Sequence, residues 1–281
     1  MSFHRANARL VSLALLLAAT CAAQAAWKPH DRLRPRPTVV TPADAGAPPS
    51  DATVLFDGKT LSGFVHFNPR DPDASGPPRW KIENGAATAA GGQLQTRDAF
   101  ADCHLHLEWK TSEDEARDPV RIDQKRGNSG VEFGDHPEIQ ILDSFANDTY
   151  PDGQAAALYG LQPPLVNAMR PPGQWQTYDI FYTAPVFASG KKIRPATYTV
   201  LHNGLPVQLA REVPGDATSC RVRIRPHGGR LHYRNIWIRP LHDPDENAGK
   251  PLPPGARVEN PFPKKEFPAP RPSRQPPPSL P

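Results

Sequence analysis

The chain predicts an all-β fold, an antiparallel β-sandwich or jelly roll, on three observations. Segments of about four to eight residues alternate apolar and polar side chains, the period of half-buried strands. Turn signals such as Asp57-Gly58, Asn84-Gly85 and Asn203-Gly204 separate them. No segment sustains a helical period, and short strands with regular turns are the signature of sandwiches. The 36 prolines in 281 residues gather at the two ends, so the folded part is the middle, residues 51–242.

Taken in order, residues 1–26 read as a secretory signal. His4, Arg5 and Arg9 begin it, the apolar run Leu10 to Ala19 is too short to span a bilayer, and Ala23-Gln24-Ala25 offers a cleavage site. Cys21 raises the question of a lipid anchor, but Thr20 before it suits lipidation poorly. No second apolar stretch reaches membrane length, so an exported, periplasmic or extracellular protein is expected. Residues 27–50 hold Pro29, Pro35, Pro37, Pro42, Pro48 and Pro49 and predict an extended linker. Residues 243–281 are again rich in proline and predict a disordered tail.

Within the domain, Val54–Phe56, Trp80–Gly85 and Gln93–Thr96 predict short strands. Cys103-His-Leu-His-Leu-Glu-Trp109 is the cleanest alternation, with Cys103, Leu105, Leu107 and Trp109 on one face and His104, His106 and Glu108 on the other. Two histidines at strand spacing could hold a metal, although a solvated outer face is the plainer reading. Residues 111–126 are charged and predict an exposed loop. Trp175–Tyr182, Tyr198–Gln208 (a hairpin turning at Asn203-Gly204), Arg221–Arg225 and Leu231–Arg239 complete the strands. Cys103 and Cys220 are the cysteines left after the signal; export permits a bridge, and two buried small residues is the alternative.

Charge excludes one partner class. The net charge is +4, and no basic run is interleaved with aromatics, so no nucleic-acid partner is expected. The chemistry concentrates between Gly127 and Gly160. There Glu138-Ile-Gln-Ile-Leu-Asp143 predicts a strand with Ile139 and Ile141 inward and Glu138 and Gln140 outward. Strict alternation puts Asp143 on the core face, where an unpaired carboxylate is costly. Either a bulge near Leu142 returns it to the Glu138 face, or the strand ends and Asp143 opens the next loop.

Seven stretches in order, LFDGKTLSGF, GNSGV, EIQILD, TYPDGQAAALYG, PPGQWQTYDI, TVLHNG and YRNIWIRPL, resemble the 3-keto-disaccharide hydrolase domain family from about Val54 to Leu241. The resemblance implies a concanavalin A-like antiparallel β-sandwich, an exported bacterial protein and a carbohydrate substrate oxidised to a ketone at C3. Two positions depart from the family's pattern. Arg225-Pro226 stands before His227-Gly228 where a Gln-Asp pair is expected, and Glu132 follows GNSGV where an apolar residue is usual. If the missing Asp orients His227, the site is altered.

A C3 ketone acidifies the C2 proton, so the implied reaction needs a base at C2, a cation or donor at the C3 oxygen and an acid for the leaving oxygen. Glu138, Asp143, His227 and Tyr159 are the expected catalytic residues. Asn128, Gln140, Arg234 and Trp175 are the expected substrate contacts, with Arg234 a candidate for the oxyanion. Glu138, Asp143 and His227 would hold a divalent cation, calcium or manganese, if one stabilises the enolate. No redox cofactor is expected, so another enzyme would make the ketone. Two other classes compete: a sugar-binding sandwich without catalysis, and a conventional glycosidase using Glu138 and Asp143. Sugar, linkage and oligomeric state are not legible.

Overall fold

The computed structural model describes residue 30 and residues 34–72, 75–118 and 120–241. The signal expected over 1–26 and the tail expected over 243–281 lie outside the described residues. The regular structure of the described part is nearly all strand, with one short helix and two 3-10 turns. The strands are β1 (Thr53–Phe56), β2 (Phe64–Phe67), β3 (Lys81–Glu83), β4 (Ala86–Thr88), β5 (Gln93–Thr96) and β6 (Cys103–Thr111). There follow β7 (Ser129–Phe133), β8 (Ile139–Ile141), β9 (Gln176–Thr183), β10 (Val186–Ala188) and β11 (Lys191–Arg194). The last four are β12 (Ala196–His202), β13 (Leu205–Val213), β14 (Val222–Ile224) and β15 (Leu231–Pro240).

Two antiparallel sheets make the sandwich. The larger runs β13-β12-β9-β6-β15-β4-β3, with β1 also paired to β15; the smaller runs β2-β5-β14-β7-β8. β10 and β11 form a separate hairpin. Alternation dictates what each sheet turns inward. Leu105, Leu107 and Trp109 of β6 and Tyr178, Ile180 and Tyr182 of β9 face Val131 and Phe133 of β7 and Val222 and Ile224 of β14, all fully or almost fully buried. Polar tips that the core cannot leave unpaired cross the layer: the Tyr233 hydroxyl donates to Ser129 Oγ at 2.8 Å and that of Tyr178 to the Gln140 carbonyl at 2.8 Å. Cys103 and Cys220 are free buried thiols, and burial lifts the Cys220 thiol to about 11.

Two stretches differ from the sequence-based expectation. The charged segment 111–126 is not simply an exposed loop. Glu113–Arg117 forms a one-turn helix capped by Ser112, and Glu115 and Arg126 are buried. The proline-rich stretch ending at residue 50 is tied down at its C-terminal end. The Gly46 carbonyl accepts from Trp237 Nε1 at 3.0 Å and Asn235 Nδ2 at 2.5 Å, and Asp51 pairs with Arg239 at 2.7 Å. Prolines forbid ladder pairing here but not docking by a few carbonyls.

Candidate active site

The outer face of the smaller sheet gathers the polar residues. β14 pairs with β7 so that Arg223 faces Glu132 and Ile224 faces Val131. Backbone bonds between Arg225 and Gly130 extend the ladder, and the His227 amide donates to the Asn128 carbonyl. Residues opposite one another in an antiparallel pair share a face. Glu138, one residue before β8, lies across from Tyr159, whose amide donates to the Glu138 carbonyl at 2.9 Å.

Glu138 is the centre of this face. One carboxylate oxygen lies 3.5 Å from His227 Nε2 and the other 3.3 Å from Arg225 Nη1. Its side chain is 11% exposed, against 35% for His227 and 39% for Arg225, so the carboxylate forms a floor with two accessible groups standing over it. Room for it comes from Gly130: a Cβ there would lie 1.8 Å from Glu138 Oε1. The glycine that GNSGV supplies is thus a demand of the carboxylate's position.

The two departures from the family's pattern are one structural event. Arg225 Nη1 donates to Glu132 Oε1 at 2.6 Å, and the other Glu132 oxygen pairs with Arg223 at 2.9 Å. A buried carboxylate in a position usually apolar is tolerable because two guanidinium groups neutralise it. Sequence reasoning treated the two positions separately and missed the pair. The two are diagonal neighbours, Arg225 standing opposite Gly130 and Glu132 opposite Arg223, and seeing this required knowing that β7 and β14 are adjacent.

At the edge of this face, Gln124 ties together residues far apart in sequence. Its side chain donates to Thr149 Oγ1 at 2.8 Å and to the Gly153 carbonyl at 3.0 Å, and accepts from Gln140 at 2.9 Å. Asn128 donates to the Gln124 carbonyl at 2.8 Å. Gln140 is therefore not a sugar-hydroxyl donor as expected: its amide hydrogens go to Gln124 and the Gly153 carbonyl, and it is 1% exposed. Asn128 likewise spends its donors on Gln124. Beyond Gly153, the Tyr150 and Tyr159 hydroxyls share a 2.6 Å hydrogen bond and both rings reach solvent. Loss of water around the Tyr150 hydroxyl, then that bond, raise its pKa well above the ordinary phenol range.

Three expected site residues stand elsewhere. Asp143 follows the end of β8 and turns inward, fully buried, 3.2 Å from Arg126 Nε. The strand ends rather than bulges, and the core position is tolerated because Arg126 fills it with a countercharge. Arg234 and Trp175 lie together on the outer face of the larger sheet, where the guanidinium sits 4.1 Å over the indole and binds Glu108 at 2.7 Å. Because β15 faces the core with Tyr233 and Ile236, Arg234 points to the side opposite the smaller sheet. The expected metal set of Glu138, Asp143 and His227 is consequently not assembled. Among the described residues no three His, Cys, Asp or Glu side chains are placed to hold a metal ion. The donors on the Glu138 face do not fit calcium, which takes six to eight oxygens, or the oxygen-rich sphere suited to manganese.

Family and structural likeness together support a carbohydrate-active protein of the glycoside hydrolase- or lyase-like class. The chain belongs to the 3-keto-alpha-glucoside-1,2-lyase-like domain family, which matches residues 51–239, as the seven ordered motifs imply. It is similar to a crystal structure of a proposed glycosyl hydrolase from Parabacteroides distasonis ATCC 8503, with 34% identity and a TM-score of 0.66 over 75% of this chain and 95% of that one. A second proposed glycosyl hydrolase from the same organism, 17% identical with a TM-score of 0.51 over 68% of this chain and 94% of that one, shares the fold. No curated protein matches the chain.

Proposed function

We propose that this protein is an exported enzyme that cleaves 3-keto-glycosides by elimination and hydration. One observation carries the reading: the accessible face offers one carboxylate beside an imidazole, Glu138 with His227 at 3.5 Å. A conventional glycosidase needs two carboxylates flanking C1. Here Asp143 is sealed against Arg126, and both oxygens of Glu132 are held by Arg223 and Arg225. A base next to an acid suits proton removal beside a ketone and protonation of a departing oxygen.

Glu138 takes the C2 proton, and the C2–H electron pair forms the C2=C3 bond of an enolate with the negative charge on the C3 oxygen. The enolate then re-forms the C3 ketone, a C1=C2 bond appears and the C1–O bond breaks. His227 gives its proton to the departing oxygen. Water then adds across C1=C2: its hydroxyl goes to C1 while His227 takes the remaining proton and Glu138 returns its proton to C2, which restores both groups, and the net result is hydrolysis; without that addition the reaction is that of a lyase. Tyr159, expected as a catalytic residue, lies across from Glu138 and is bonded to Tyr150, which supports a role in holding or protonating a sugar oxygen.

Sugar release from a 3-keto-glucoside and from the matching unoxidised glucoside, each with and without chelator, tests the reading. Cleavage of the keto substrate alone, undiminished by chelator, is expected. Cleavage of the plain glucoside would transfer the case to the conventional mechanism. Binding of either sugar without release would reduce the protein to a lectin-like role.

A further inference from the structure

We infer that Arg225 is the group that stabilises the C3 oxyanion, an inference that rests on the keto-glycoside reading above. The argument begins with donors. A guanidinium carries five N–H groups in a fixed plane. Arg225 spends Nη1 on Glu132 at 2.6 Å and Glu138 at 3.3 Å. Its Nε and Nη2 have no hydrogen-bond partner among the described residues, and the side chain is 39% exposed. A pre-positioned cation with unspent donors therefore stands beside the proposed base.

Order along the site matches order along the substrate. In the sugar, C2 lies between C1, which loses its oxygen, and C3, which carries the ketone. On the protein, the Glu138 carboxylate lies between His227 on one oxygen and Arg225 on the other. With Glu138 at C2 and the acid His227 toward C1, Arg225 falls toward C3. The reaction needs positive charge at that oxygen, and the other expected groups do not supply it: Arg234 is on the other sheet, and among the described residues no three metal-binding side chains are assembled.

Glu132 is what makes the placement possible. It anchors Arg225 against β7 while Arg223 binds its other oxygen and Phe67 underlies Arg223 at 5.2 Å. An anchored guanidinium needs little reorganisation as charge develops, which is the condition for electrostatic stabilisation of a transition state. On this assignment the Arg225 and Glu132 departures supply an anchored cation for the C3 oxygen rather than disabling the site.

The test uses Arg225→Gln, Arg225→Lys and the double variant Glu132→Val with Arg225→Gln. Two substrates are compared, a 3-keto-glucoside and a 3-keto sugar with no leaving group at C1. The second reports enolate formation alone, as exchange of the C2 proton for deuterium. Arg225→Gln should lower kcat and C2 exchange together by about 10²–10³-fold, as loss of an oxyanion donor does, with KM little changed and a melting transition that is lowered but still cooperative, because Glu132 keeps Arg223. Arg225→Lys should recover part of both rates by keeping the charge. The double variant, which removes the buried Glu132 charge along with its partner, should fold and remain slow. Equal exchange rates in wild type and a folded Arg225→Gln would overturn the assignment while leaving the keto-glycoside reading intact. If wild type neither cleaves the first substrate nor exchanges the second, the reading itself fails and takes the assignment with it.

Discussion

Gly130 decides where Glu138 can be. A methyl group there would overlap the carboxylate, with the Cβ 1.8 Å from Oε1 and 2.2 Å from Cδ, and Glu138 is the end of a side chain that can swing aside more easily than β7 can move. Gly130→Ala should therefore fold with a small loss of stability yet lose cleavage by at least tenfold, because the carboxylate leaves His227. Parallel melting curves and keto-glucoside assays check this; an active Gly130→Ala enzyme would remove Glu138 from the mechanism. Asp143 predicts the converse. Truncating one member of a buried pair leaves the other charged and unpaired, at a cost of about 3–5 kcal/mol. Asp143→Ala should therefore melt far below wild type, yet at a temperature where it remains folded its kcat should stay within a few-fold of wild type. A folded but inactive Asp143→Ala would return Asp143 to the chemistry.

Among elements, those with a strict period of two were legible in the sequence. β6 and β9 turn their apolar residues to the core as alternation requires, and so does the pair Ile139 and Ile141 of β8, whereas β15 shifts register between Arg234 and Trp237 and puts Trp237 on the outer face. The Glu138–His227 half of the site was legible as well, through residue type and order. The rest depended on which elements lie side by side. Trp175 and Arg234 alternate outward as well as Glu138 does, but alternation does not say which sheet a strand joins. Gln124 was hidden because it sits in a charged stretch with no period, and a short turn, Asp123–Lys125, is what presents it. That element makes its own prediction. Gln124 joins Thr149, Gly153, Gln140 and Asn128, so Gln124→Ala should loosen residues 145–160 while leaving the sheets intact. Hydrogen exchange should show faster amides at Gly153 and Tyr159 with β6 and β9 unchanged, and KM should rise more than kcat falls. Uniformly faster exchange across both sheets would show instead that Gln124 supports the whole sandwich.

At the scale of the whole molecule, the outer face of the larger sheet governs how stability follows pH. Beneath the docked residues 46–51, His106 Nδ1 lies 2.8 Å from Asp179, its Nε2 3.9 Å from Glu108, and its ring stacks on Trp237 at 4.9 Å. Asp179 also binds His104 at 2.9 Å, while Asn235 and Arg234 bind Glu108 at 2.9 Å and 2.7 Å. Burial by itself would push His106 down, but the two carboxylates outweigh it and hold it up at about 9. Burial would likewise lift Glu108, but His106, Asn235 and Arg234 outweigh it and hold it down at about 2. A histidine raised on folding contributes stability that is complete below its ordinary value of 6.5 and is lost as pH climbs through 9. A glutamate lowered on folding contributes stability that is complete above its ordinary 4.5 and is lost as pH falls toward 2. Asp179 is lowered too, and its loss falls on the acid side. The melting temperature should therefore be highest between about pH 4.5 and 6.5 and decline on both sides. His106→Gln should lower the maximum, flatten the alkaline decline between about pH 6.5 and 9 and shrink the acid limb in part, since His106 is one of the groups that hold Glu108 and Asp179 down. Thermal melts followed by near-ultraviolet circular dichroism at constant ionic strength measure both limbs. An alkaline limb equally steep in His106→Gln would assign that limb to another group and leave the cluster with only a packing role.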